Sequence, residues 1–183
     1  KSFHQLSLNW GVVPLYSPSY NTMREGVEQM STFALERHLV QSGDWVVVTA
    51  GTPFGVPGTT NMMIVESIGD VLVRGRVGYG LRVHGKVAMV LVPESREAHA
   101  VADHLLVMVK CNPSYLPLIR EATGLILQNL ANDTESEAYA RQIAMELGKP
   151  LLLQADAACR ILKEGQLVTL DPEKALIYKG VVD

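Results

Sequence analysis

Cysteine is scarce in this chain: Cys111 and Cys159 stand far apart, without the close spacing of a metal-ligand pair. That excludes a disulfide framework and a zinc ribbon, and it suits a reducing compartment with both thiols as small buried hydrophobes. No histidine follows His104, and the earlier four, His4, His38, His84 and His99, are scattered. His99 and Asp103 lie four apart with His104 beside them, but such residues on a polar helix face are ordinarily solvated, and no metal site is expected. The sixteen Lys and Arg form no run and interleave with no aromatics, so nucleic acid is not an expected partner. Long apolar runs are missing too. The longest, such as 87–93, fall well short of the ~20 residues that span a bilayer, so no membrane is expected either. The N-terminus lacks a basic segment followed by an apolar one, which reads as no signal peptide and a cytoplasmic protein.

What is present is a folded composition. Hydrophobic residues make up 48% and charged residues 19%, enough to bury one core or two small ones. Residues 6–16 read as a helix end or turn running into a strand, closed by Pro14 and Pro18. A helix capped by Asn21 is expected to run through Val40, and the apolar run 45–49 reads as a strand covered on both faces. Strands over 62–65 and 71–73 follow, around a turn at Gly69-Asp70. The order β-α-β-loop-β reads as α/β, with an open, mostly parallel sheet and helices. Three glycines within 75–80 suggest a linker, dividing the chain into domains 1–76 and 77–183. Beyond it the pattern gives strands at 85–92, 105–109, 125–127, 151–154, 166–171 and 176–178. Helices are expected at 95–104, 115–121, 135–147 and 155–162, the third ended by Gly148 in the left-handed cap position.

The stretch 49–61 (TAGTPFGVPGTTN) is the most unusual. It follows the carboxyl end of a strand, where α/β sheets ordinarily bind ligands. Gly51, Gly55 and Gly58 let the backbone approach a ligand closely, while Thr49, Thr59, Thr60 and Asn61 offer hydroxyl and amide groups suited to a phosphate oxygen. Pro and Gly are also ordinary turn residues, so a tight structural connection explains the composition equally well.

The segments 6–14 (LSLNWGVVP), 43–61 (GDWVVVTAGTPFGVPGTTN) and 70–75 (DVLVRG) resemble the C-terminal domain of bacterial pyruvate kinases over roughly residues 4–75. The resemblance implies that 49–61 is an effector loop closing over a phosphorylated small molecule; fructose bisphosphate, ribose 5-phosphate and AMP all suit it. In that family the domain begins earlier, with a strand and a Ser/Thr-rich phosphate pocket. The catalytic barrel that holds magnesium and potassium lies earlier still. The chain is therefore expected to be a piece of a longer protein, with no catalytic residues and no cofactor of its own.

The segments 85–94 (GKVAMVLVPE), 123–127 (TGLIL), 144–150 (AMELGKP) and 162–171 (LKEGQLVTLD) resemble the phosphohistidine-swivelling domain of phosphoenolpyruvate-utilising enzymes over 85–180. Some bacterial pyruvate kinases carry such a β/β/α domain as an extra C-terminal segment. Active members place a histidine just before the helix that ends in Glu-Leu-Gly. Counting back from Gly148 puts that position at Tyr139, and counting forward from Gly124 puts it at Glu135; neither is histidine. A phenol with pKa near 10 is a poor phosphoryl acceptor without a base. Together the resemblances imply a regulatory and assembly portion of a pyruvate kinase, phosphotransferase of glycolysis, binding a phosphorylated effector and forming a homo-oligomer. The alternatives are a stand-alone phosphometabolite sensor or a phosphoryl carrier.

Overall fold

A computed structural model describes residues 2–16, 20, 22–51 and 60–182. Two compact units emerge: Lys1–Val40 with Val47–Glu66, and Gln41–Val46 with Ser67–Asp183.

In the first unit, helix α1 (Ser2–Leu6) leads into turns through Gly11 and then an irregular stretch to Tyr16, where a strand was expected; Pro14 offers no amide to a ladder. Helix α2 (Met23–Glu36) is capped by Thr22, whose hydroxyl accepts from the Glu25 amide at 3.2 Å. Asn21, the expected cap, lies outside the described residues. The helix stops short of Val40 because Arg37 leaves helical geometry and His38 turns left-handed at φ 54°.

Strands β1 (Trp45–Ala50) and β2 (Met62–Ser67) form a two-stranded sheet. Ile68 N donates to Asp44 O at 2.8 Å at one end, and Asn61 N to Ala50 O at 3.2 Å at the other, so the pair is antiparallel. The expected strand 45–49 is present, but it is not covered on both faces. Trp45 and Val47 are each 61% exposed, with Met63 and Val65 exposed beside them, because side chains two apart share one face; the Arg74 guanidinium, 4.0 Å from the Trp45 ring, covers part of it. Among the described residues of 1–66 the sheet consists of this pair, and β3, at residues 71–74, joins the larger sheet of the second unit.

The second unit is built on one eight-stranded sheet. Its strands are β3 (Val71–Arg74), β4 (Val77–Tyr79), β5 (Val83–Met89), β6 (His104–Met108), β7 (Gly124–Leu127), β8 (Leu151–Leu153), β9 (Leu167–Asp171) and β10 (Leu176–Lys179). Their spatial order is β3-β10-β9-β5-β6-β7-β8-β4. The central four, β5 to β8, run parallel, and the flanking pairings are antiparallel. The fold is α/β.

β3 and β4 occupy opposite ends of that order, yet only Gly75 and Arg76 separate them in the chain. The sheet therefore curls until its edges meet. Gly75 N donates to Ala175 O at 2.8 Å on the β10 side, and Arg76 N donates to Leu153 O at 3.0 Å on the β8 side. The glycine run, expected as a linker, is the seam of this closure. A Cβ on Gly75 would overlap the Leu152 side chain, and one on Gly78 the Pro172 carbonyl. Gly80 needs φ +94°.

The continuous apolar strands bury both faces, as parallel strands do. Leu106, Met108, Leu125, Leu127, Leu151 and Leu153 pack against helices α3 (Leu116–Glu121) and α4 (Thr134–Leu147). On the opposite face, Leu105, Val107, Ile126 and Leu152 meet Val73, Leu170 and Ile177 of the antiparallel strands, together with the short helix α5 (Ala158–Ile161). Helices, parallel strands and antiparallel strands thus form three layers.

The helix expected over 95–104 breaks into two 3-10 turns, Pro93–Ser95 and Ala98–Val101. The chain must straighten to lay β6 beside β5, and Asp103 makes that turn with φ 59°.

Candidate functional site

The two ends of the 49–61 loop are held together by the β1–β2 pair. Thr49 lies near the carboxyl end of β1 with its side chain exposed, and Gly51 follows the strand. Thr60 and Asn61 are exposed just before β2, and the Asn61 amide closes the base on Ala50 O at 3.2 Å. Gly55, Gly58 and Thr59 lie outside the described residues. The geometry on view is a narrow hairpin base that delivers four of the seven loop residues to one place.

The second place where chain segments converge is the carboxyl ends of β6, β7 and β8, where the amino end of α4 enters. Such ends are the ordinary binding edge of a parallel sheet. α4 starts there because Asp133 caps it, its carboxylate accepting from Ser136 N at 3.1 Å; the helix ends at Gly148 in the left-handed conformation, φ 63°, as its spacing implied. A cleft lies on each side of this helix start.

The first cleft, about 580 Å³, is lined by Lys110, Cys111, Asp133, Glu135, Ser136 and Tyr139 among others. Both counts of the missing-histidine position, Glu135 and Tyr139, therefore fall on one wall. Burial raises the Tyr139 phenol pKa, Cys111 and Glu146 raise it further, and Arg120 partly offsets them. A phenol held protonated in this way is a still weaker acceptor. Asp133 already occupies the positive end of the helix, and Glu135 adds a second negative charge in the same turn. An incoming phosphoryl group would meet like charge. Burial alone pushes the Cys111 thiol up to about 12, so it is no nucleophile at neutral pH either.

The second cleft, about 520 Å³, lies between β4, the end of β8 and α4, and includes Arg76, Tyr79, Glu137, Arg141 and Gln154. Sequence reading did not single it out. The four-residue spacing of Glu137 and Arg141, an ion pair of 2.8 Å, was the visible signal; Arg76 was hidden in what read as a linker.

His99, Asp103 and His104 do not share a helix face: His99 sits on a 3-10 turn beside Glu97 at 3.2 Å, and His104 starts β6 with Nδ1 at 2.6 Å from Ala102 O. Among the described residues no three of His, Cys, Asp or Glu stand together as a metal ion requires. No helix among them is long and apolar enough to cross a membrane.

Comparison with known proteins bears on the first unit directly. Residues 1–66 match the family pyruvate kinase, alpha/beta domain. The similarity to pyruvate kinases then runs on through the second unit. The chain is 32% identical over 180 residues to pyruvate kinase of Lactobacillus delbrueckii subsp. bulgaricus, covering 98% of this chain and 30% of that protein. It is 31% identical over 177 residues to pyruvate kinase of Geobacillus stearothermophilus, covering 96% and 29%. It is 32% identical over 179 residues to pyruvate kinase 2 of Synechocystis sp., covering 97% and 29%. The chain thus spans about 30% of the length of these pyruvate kinases. Among solved structures, holo aconitase X of Thermococcus kodakaraensis is similar over 58% of this chain and 96% of that one, at 14% identity and a TM-score of 0.40, too slight to carry an argument.

Proposed function

We propose that this chain is the regulatory and assembly portion of a cytoplasmic pyruvate kinase, in which catalysis, with its magnesium and potassium, belongs to a barrel outside these residues. The observation that carries the reading is similarity to pyruvate kinases along 98% of the chain, with the Gly/Thr loop 49–61 set on the β1–β2 hairpin. In this reading Thr49, Gly51, Gly55, Gly58, Thr59, Thr60 and Asn61 receive the phosphate of an effector. Residues 77–183 serve as an inert swivelling-type domain that steadies a homo-oligomer. The layered helix–parallel–antiparallel arrangement supports such a domain, and the carboxylates of Asp133 and Glu135 speak against phosphoryl carriage.

The test is activator titration of the full-length polypeptide carrying this chain, with fructose bisphosphate, ribose 5-phosphate and AMP in parallel. A Gly58→Trp variant should lose its response to the activator that stimulates the parent. Activation of the variant at the parent's concentration, or a parent that none of the three stimulates, overturns the loop assignment.

A further inference from the structure

We propose that the cleft between β4, the end of β8 and α4 binds the carboxylate or phosphate group of a small metabolite, through the guanidinium groups of Arg76 and Arg141. The inference does not depend on the effector loop, and it concerns a different unit of the chain.

The cleft holds about 520 Å³, the size that a compact metabolite fills, and the small side chains Ala131 and Ala138 leave it open. Its charges are unevenly satisfied. Glu137 spends both oxygens inside the protein: Oε1 accepts from Arg141 Nη2 at 2.8 Å, and Oε2 accepts from Gln154 Nε2 at 3.2 Å. Its negative charge is therefore neutralised by Arg141. Arg76 adds a second positive charge, and no hydrogen bond or ion pair reaches its guanidinium among the described residues. The lining keeps one net positive charge, which favours an anion and opposes a cation.

Arg141 is also under-satisfied. Its Nε is buried with no acceptor among the described residues, an uncompensated donor in a charged group, while the side chain as a whole is 43% exposed. The group cannot swing away freely, because the Tyr79 ring lies 5.2 Å from its carbon and Glu137 grips Nη2. Opposite them, Gln154 sits in a left-handed turn, φ 49°, its backbone N–H donating to Asn129 Oδ1 at 3.0 Å. The α4 helix end is not the source of the attraction, since Asp133 already serves it. A planar carboxylate or a phosphate would accept from Arg76 and from the free Nη1 of Arg141, giving charge-assisted bonds in a partly enclosed site.

The experiment is titration of the 183-residue chain with inorganic phosphate and, separately, acetate, at ionic strength matched with chloride. The readouts are the Arg141 Nε–H resonance and thermal melting. The expected result is a saturable shift of that resonance and a rise in Tm with at least one of the two anions. Arg76→Gln should weaken binding by about tenfold or more, the effect of losing one charged hydrogen bond. Arg160→Gln, which removes an exposed charge on α5, should leave it unchanged. Saturation by phosphate alone assigns a phosphate ligand, and by acetate as well assigns a carboxylate-tolerant one. A linear, unsaturating response to both anions, or equal responses in wild type and Arg76→Gln, overturns the proposal.

Discussion

Gly78 and Cys111 are single residues whose behaviour is decided by what the curled sheet brings against them. A methyl group at Gly78 would strike the Pro172 backbone, which cannot rotate aside. Gly78→Ala should cost about 1–3 kcal/mol by urea unfolding, a typical overpacking penalty, although in an ordinary edge strand alanine would be tolerated. Cys111 is 3% exposed, and burial raises its thiol from 9.0 to about 12. Between those values the unfolded chain has released a proton that the folded chain keeps. Stability is thus full below pH 9.0 and falls as pH rises toward 12, by up to about 1.4 kcal/mol per pH unit from this one group. Urea midpoints at pH 8 and pH 10 should show the loss, and Cys111→Ala should show less of it. Burial raises the Cys159 thiol as well, which leaves a residual slope of the same sign.

At the scale of elements, existence was legible and boundaries less so. The strands at 71–74, 124–127 and 167–171 and the helix α4 follow from apolar runs, alternation and the Gly148 stop, all local signals. The 3-10 turns at 93–101 were not legible, because the demand to begin β6 beside β5 comes from a distant strand. Two element-level contacts can be tested. Asp133→Ala removes the α4 cap and should cost about 1 kcal/mol, read from the urea midpoint. Arg82, just before β5, donates both Nε at 3.1 Å and Nη2 at 2.6 Å to one oxygen of Asp171 at the end of β9. Asp171 is 2% exposed, so Arg82→Met strands a buried carboxylate and should cost about 3–5 kcal/mol. Adding Asp171→Asn to Arg82→Met should recover a large part of that loss; no recovery would show that the pair does not couple these strands.

At the scale of the whole molecule, Val47, Met63 and Val65 leave an exposed apolar stripe on the β1–β2 pair. If a longer pyruvate kinase polypeptide covers it, Val47→Lys with Met63→Lys should raise the soluble concentration of the 183-residue chain and lower the melting temperature of the longer protein. Light scattering and calorimetry read the two effects, and an unchanged melting temperature in the longer protein would show the stripe uncovered there as well. The sequence by itself determined the α/β class, the loop 49–61 as an unusual stretch, and the lack of a histidine acceptor, because composition, period and residue identity are local properties. Only the tertiary structure decided that Gly75–Gly80 is a seam and not a linker, that Glu135 and Tyr139 share one cleft, and that Arg76 faces the same cleft as Arg141. Those depend on closing a sheet whose first and last strands are neighbours in the chain. Such pairing joins residues far apart in sequence, and no local pattern records it.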